Sequence, residues 1–203
     1  MHQENEDHGC PFCRWSDIAS RLICEWDEAY VISDAHPVTL GHLLVVSKIH
    51  HLSFGAMNPL SLSRLQQAIL EISRSLAELK PRVILFEHGN QTVNMSGRPS
   101  VDHAHFHLIP AADLQSHLPA SKKSASFLDL QSYVTECSYY FYWDIFGGVA
   151  YWGNANDVES QFIRKTVASE LGLINWNWRV SPFSGDEIKL HVRIISSLLM
   201  KRS

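Results

Sequence analysis

The sequence has no long apolar run and no cluster of basic residues. Its apolar stretches are far shorter than the roughly 20 residues that cross a bilayer, and its longest basic run is the pair Lys122-Lys123. The net charge is −4 with the histidines neutral, so the chain lacks the basic surface on which binding of polymeric nucleic acid depends. The first eight residues are acidic and polar, unlike a secretory leader. We therefore expect a cytoplasmic protein with neither a membrane nor a polymeric nucleic acid as its partner.

Cysteine is also scarce, with four residues among 203, which disfavours a disulfide scaffold. Two of the four form the motif Cys10-Pro-Phe-Cys13, a turn that can place two thiolates on one tetrahedral zinc ion. A thioredoxin-like redox pair is the alternative, but the helix and βαβ pattern that it requires do not follow the motif. Cys24 and Cys137 have no partner at metal-binding spacing, and we expect them to be buried small apolar side chains.

Histidine is plentiful, and three of the 12 histidines alternate with apolar residues between positions 100 and 109. On a β-strand, His103, His105 and His107 would share one face and the apolar residues the other. Imidazole has a pKa of about 6.5 and can act as nucleophile, acid, base or metal ligand near neutral pH. A metal-scavenging or merely polar strand face is the simpler alternative. The spacing predicts a strand with one chemical face and one packing face.

The surrounding pattern predicts an α+β fold. Residues 29–34 and 42–47 are typical of two strands of a hairpin-like start. Residues 59–80 have apolar positions at helical spacing behind an Asn-Pro start signal, and residues 83–86 are apolar throughout, as in a central strand. We expect an antiparallel sheet with one long helix packed on it.

The second half has a different character. A flexible polar segment at 119–126 is the best candidate boundary, so we divide the chain into a domain at 1–112 and an extension at 113–203 packed on it. The extension should contain an aromatic β-hairpin and two helices. Asp157 is the predicted cap of the first helix, which would expose the polar side chains of Gln161, Arg164 and Lys165 to solvent. A Ser184-x-x-Glu187 capping box predicts the start of the second.

The pattern at 103–109, His-φ-His-φ-His-φ-φ with φ an apolar residue, resembles the signature of the histidine triad superfamily of nucleotide hydrolases and transferases, and residues 34–50 resemble its first conserved block. The resemblance covers residues 10–110. It implies a HIT-like fold, a homodimer and a small-molecule nucleotide as ligand. The implied activity is hydrolysis of a dinucleoside polyphosphate or nucleoside phosphoramidate through a nucleotidyl-histidine intermediate. A nucleotidyl transferase or phosphorylase, or a non-catalytic nucleotide-binding module, is the alternative.

The resemblance also implies roles for individual residues. His105 would attack the α-phosphate, and His107 would contact the phosphate and protonate the leaving group. His103 would orient His105 or complete a zinc site. Asp34 would accept hydrogen bonds from the ribose hydroxyls, with capping of a turn as the alternative. Ile32 would help to form a base pocket or simply pack in the core.

The same resemblance implies a structural zinc site and a phosphate-binding loop. The zinc ligands would be Cys10, Cys13, His50 and His103, with His51 as an alternative to His50. The α-phosphate would be held by Ser100 and by Asn90 or Asn94. The superfamily has Gly-Gln before this serine, whereas this chain has Arg98-Pro99; proline has no N–H to donate. Gln161 and Arg164 could bind the distal phosphates of a long substrate.

Overall fold

The computed structural model describes residues 9–92, 101–159, 161–173 and 184–200. The helices in these ranges are α1 (Trp15–Ile18), α2 (Pro59–Leu76), α3 (Leu130–Glu136), α4 (Phe162–Glu170) and α5 (Gly185–Met200). The strands are β1 (Leu22–Glu25), β2 (Ala29–Ser33), β3 (Leu43–Ser47), β4 (Val83–Gly89), β5 (His105–Pro110), β6 (Lys123–Ser124), β7 (Tyr139–Asp144) and β8 (Val149–Asn154).

The strands form one sheet in the order β1-β2-β3-β5-β4-β7-β8-β6. Each neighbouring pair is antiparallel. The predicted α+β class, with an antiparallel sheet and one long packed helix, is confirmed. Within the described ranges, no helix is both long enough and apolar enough to span a membrane.

Helix α2 forms where its signals predict. The side chain of Asn58 accepts a hydrogen bond from the backbone N–H of Ser61 at 3.0 Å, and Pro59 occupies the first helical position. The apolar stripe of the helix packs on the sheet through buried side chains, namely Leu62, Leu65, Ile69, Ile72 and Leu76. The helix ends at Leu76, before the predicted end at residue 80.

Strand β4 lies between β5 and β7 and is covered on both faces. Val83 and Leu85 pack in the cluster that contains α2, whereas Ile84 and Phe86 pack in the cluster that contains α4. Since β7 follows the predicted boundary at residue 112, the sheet continues across that boundary. The division into two domains stays a prediction.

The start of α4 differs from the prediction. The side chain of Asn154, rather than Asp157, caps a short turn, by accepting from the N–H of Asn156 at 2.9 Å. The helix begins only at Phe162, after Gln161 in a left-handed conformation with φ 62°. The prediction for α5 is confirmed: the Glu187 carboxylate accepts from the Ser184 N–H at 2.7 Å, and the helix starts directly after that serine.

The histidine strand is shorter than predicted. Strand β5 begins at His105, so His103 lies in the bend before it. There the N–H of Ala104 donates to the carbonyl of His51 at 2.6 Å, outside the regular ladder. The apolar side of β5 behaves as predicted, with Phe106 and Leu108 fully buried in the cluster that contains α2.

Candidate functional site

His105 is held in one tautomer by the backbone. Its Nδ1 lies 2.7 Å from the carbonyl oxygen of His103, and since a carbonyl only accepts, Nδ1 carries the proton. The lone pair is therefore on Nε2. Burial lowers the pKa of His105, which keeps the ring neutral near pH 7. A neutral imidazole with a fixed lone pair is a competent nucleophile.

His107 is held in the opposite tautomer by His42. The backbone N–H of Val38 donates to Nδ1 of His42 at 3.2 Å, so the proton of His42 is on Nε2. That Nε2 lies 2.9 Å from Nδ1 of His107 and donates to it. His107 consequently carries its proton on Nε2. The triad thus presents a lone pair on His105 and an N–H on His107, with ring centroids 5.3 Å apart.

Sequence reasoning missed His42, treating it as the first residue of a strand. The side chain is fully buried directly before β3, which pairs with β5 so that Leu44 lies opposite His107. Burial lowers the pKa of His42 to about 3, so the ring is neutral at neutral pH. One signal was available, since a histidine at the head of an otherwise apolar strand needs a buried partner.

Asp34 lies beside this histidine pair and is nearly inaccessible, with 6% of its surface exposed. Its Oδ1 accepts from the N–H of His36 at 2.7 Å, and its Oδ2 lies 3.0 Å from Nη1 of Arg164 and 3.5 Å from Nε2 of His42. Burial opposes ionisation of Asp34, but His42 and Arg164 hold the pKa of the carboxyl well below its usual range. Asp34 is therefore an ionised, buried carboxylate.

The prediction of a solvent-exposed Arg164 is wrong. Its residue surface is 5% exposed because this side of α4 faces the sheet, where Asp34 compensates the charge. Lys165, the next residue, is exposed and pairs with Glu159.

A second residue of the C-terminal half supports the same β2–β3 connection. His191 of α5 is buried, with Nδ1 2.8 Å from Oγ of Ser33 and Nε2 accepting from the N–H of Gly41 at 3.0 Å. Its proton is therefore on Nδ1. Ser33 and Gly41 directly adjoin Asp34 and His42, so α5 holds both ends of the segment that supplies them. Sequence reasoning gave no hint of this contact.

The predicted zinc ligands come together. One ligand atom from each of Cys10, Cys13, His50 and His103 lies within 4.8 Å of all the others. Nδ1 of His103 is 3.4 Å from Sγ of Cys10 and 3.5 Å from Sγ of Cys13, and Nδ1 of His50 is 3.1 Å from Sγ of Cys13. Among the described residues, the histidine that joins this cluster from residues 50 and 51 is His50.

The tautomer of His103 suits a metal. Its Nε2 lies 2.8 Å from the carbonyl of Ser47 and donates to it, which leaves the lone pair on Nδ1, the atom facing the two sulfurs. Burial lowers the pKa of His103 to about 4 and so keeps the ring neutral. Neither cysteine is in a disulfide. Two cysteine sulfurs and two imidazole nitrogens are a ligand set that fits a tetrahedral structural zinc site.

Four predicted substrate-binding residues remain, and the structure describes two of them, Ile32 and Asn90. Ile32 is fully buried in a cluster that includes Phe12, whose ring lies 5.2 Å from that of His105. Asn90 is half-buried, and its amide donates to the carboxylate of Asp102 at 2.7 Å. Asn94 and Ser100 lie outside the described residues. The substrate contacts of these four stay predictions.

Comparisons with known proteins assign the family. The HIT domain model matches residues 16–114. The chain is 30% identical over 116 residues to adenosine 5'-monophosphoramidase HNT1 of Saccharomyces cerevisiae, covering 55% of this chain and 68% of that protein. The chain belongs to the HIT family. An uncharacterised HIT-like protein of Mycoplasma genitalium is 31% identical over 113 residues, covering 53% of this chain and 77% of that protein.

Solved structures of HIT proteins are also similar over about half of the chain. A HIT-like protein from Bartonella henselae has a TM-score of 0.40 at 23% identity, with 51% of this chain and 79% of that chain covered. A hypothetical histidine triad nucleotide-binding protein from Sulfolobus tokodaii has a TM-score of 0.36, also at 23% identity, with 57% and 81% covered.

Proposed function

We propose that this HIT protein hydrolyses a nucleotide at its α-phosphate through a nucleotidyl-histidine intermediate. The observation that carries the proposal is the pair of opposite tautomers, a lone pair on Nε2 of His105 beside an N–H on Nε2 of His107. A nucleophile and a proton donor on one strand face are what displacement at phosphorus requires. The substrate is a nucleoside phosphoramidate or a dinucleoside polyphosphate, and the similarity to a yeast monophosphoramidase favours the former.

In the first step, Nε2 of His105 attacks the α-phosphorus. A P–N bond forms, the bond from phosphorus to the leaving oxygen or nitrogen breaks, and the leaving group takes a proton from the pair formed by His42 and His107. In the second step, water attacks the same phosphorus and the P–N bond breaks. The proton released by the water returns to the histidine pair, so the protein ends unchanged.

The free protein holds the histidine pair neutral. Burial, together with His42, places the pKa of His107 well below its ordinary value. The extra proton must therefore bind with the substrate, whose phosphate charge favours the cationic pair. The ionised carboxylate of Asp34, 4.0 Å from Nδ1 of His107, stabilises the same cation.

The other predicted properties belong to this proposal. A zinc ion held by Cys10, Cys13, His50 and His103 would be structural, because all four of its positions are filled by protein. It would fix His103, whose carbonyl orients His105. A homodimer and a cytoplasmic location remain part of the proposal as predictions.

Intact-protein mass spectrometry after rapid quenching tests the mechanism. The wild type and His105→Ala are mixed with adenosine phosphoramidate and with adenine and guanine dinucleoside polyphosphates, and products are followed in parallel. We expect mononucleotide product and a nucleotidyl adduct with the wild type, and neither with His105→Ala. His117→Ala is the matched control, since His117 is an exposed histidine paired with Glu170.

Three results would contradict the proposal. An adduct that persists in His105→Ala would show that another group is the nucleophile. Bound nucleotide without product or adduct across the whole panel would favour a binding module instead. Turnover that requires added inorganic phosphate would identify a phosphorylase.

A further inference from the structure

Arg164 reaches the proposed active site from outside the segment that defines the family. The HIT domain model matches residues 16–114, whereas Arg164 lies on α4. Its Nη1 is 3.0 Å from Oδ2 of Asp34, and its Nη2 donates to the carbonyl of His36. The guanidinium is therefore fixed at two points across the segment that joins β2 to β3.

This contact changes what Asp34 can do. Oδ2 faces Arg164, Oδ1 accepts from the N–H of His36, and the residue is 6% exposed. A vicinal diol needs an accessible carboxylate oxygen with a free lone pair. Each oxygen keeps a lone pair, but at 6% exposure a ribose could reach one only by moving neighbouring groups. Moving Arg164 would leave the buried carboxylate without its counter-charge, which is strongly unfavourable.

The same contact gives Asp34 a different role. Its Oδ2 lies 3.5 Å from Nε2 of His42, which donates to His107. Arg164 thus holds the carboxylate against the histidine pair that supplies the proton in the proposed reaction.

We propose that Arg164 is a specificity-determining residue, which holds Asp34 in place as the buried counter-ion for the proton that His42 and His107 share during the proposed reaction, and so withdraws it from the substrate's ribose. The inference rests on the proposed function, because it concerns the nucleotide bound at that site. It revises the predicted ribose contact of Asp34. It implies that the protein accepts nucleotides without regard to their 2′ and 3′ hydroxyls.

Calorimetric binding of AMP and of 2′,3′-dideoxy-AMP to the full-length, zinc-loaded protein tests the inference without requiring turnover. The wild type should bind the two within about threefold, since no charge-assisted hydrogen bond to the ribose is lost. Arg164→Met should create a preference for AMP of about tenfold by freeing the carboxylate. The double variant Arg164→Met with Asp34→Asn should lose that preference.

Two further variants separate charge from packing. Arg164→Lys keeps the positive charge and should retain the indifference of the wild type to the ribose. Lys165→Met removes the neighbouring exposed charge, and it should also behave as the wild type does. If the role of Arg164 were merely structural, Arg164→Met would bind AMP and 2′,3′-dideoxy-AMP more weakly by the same factor, and no preference for AMP would arise.

The wild type and Asp34→Asn together can overturn the inference, whatever the Arg164 variants do. If it prefers AMP by about tenfold or more, and Asp34→Asn abolishes the preference, Asp34 binds the ribose and the inference is wrong. If neither nucleotide binds, the proposed function fails, and a double-mutant cycle in urea decides whether the ion pair exists. If the shifts in urea midpoint of Asp34→Asn and Arg164→Met add up to the shift of the double variant, the two residues are not coupled and the inference is wrong.

Discussion

Replacing Glu87 by glutamine should remove a large part of the pH dependence of stability. Glu87 is 1% exposed within β4, where Oε1 accepts from the N–H of Phe54 at 2.8 Å and Oε2 accepts from the hydroxyl of Tyr139 at 2.5 Å. Burial outweighs these two hydrogen bonds and raises the pKa of Glu87 from 4.5 to about 8. The folded protein therefore takes up a proton at this residue that the unfolded chain has already released.

The sign and size follow from that difference in pKa. Between pH 4.5 and 8 the folded state binds the proton more tightly than the unfolded state, so stability falls as pH rises through this interval and levels off above it. The difference between the pKa of Glu87 in the folded protein and its ordinary pKa corresponds to about 5 kcal/mol of unfolding free energy, which is lost as pH rises across the interval. Glutamine still offers a carbonyl to the N–H of Phe54 but does not titrate.

Urea unfolding of the wild type and Glu87→Gln at a series of pH values, with zinc held constant, measures the effect. Buried histidines contribute a pH dependence of their own, which is common to both proteins and cancels in the difference. We expect Glu87→Gln to gain stability over the wild type steadily from pH 5 to pH 8. A difference that stays constant within about 0.5 kcal/mol over this range would refute the reasoning.

Two further predictions concern the glycine beside His42 and the zinc cluster. At Gly41 (φ +86°) a Cβ would lie 2.8 Å from two side chains, whereas at Gly148 (φ +69°) it would meet nothing within 4 Å. Thermal unfolding should therefore show Gly41→Ala destabilised by about 3 kcal/mol and Gly148→Ala by about 1 kcal/mol; equal losses would contradict the argument. Cys13→Ser should lose zinc by elemental analysis and unfold at lower urea, while Cys24→Ser keeps its zinc; equal zinc in both variants would exclude the cluster as the site.

Local pattern was sufficient for most of the fold because each signal acts over a few residues. The Asn-Pro start of α2, the Ser-x-x-Glu start of α5 and the apolar run of β4 all lie where they were expected. Helix α4 was misplaced because Asp157 belongs to the short turn that Asn154 caps, and the helix begins only at Phe162; either residue is a plausible cap in sequence.

The sequence by itself indicated the family and the alternation of His105 and His107 with buried apolar residues, because spacing along a strand is visible in the chain. The resemblance to that family then implied the four residues that gather into a metal-ligand cluster. Only the tertiary structure decided the tautomers of His103 and His107, since their partners, the carbonyl of Ser47 and the ring of His42, come from distant parts of the chain. The contact between Arg164 and Asp34 spans 130 positions along the chain. A surface arginine and a buried one look alike in sequence, and the burial of both partners is what separates them.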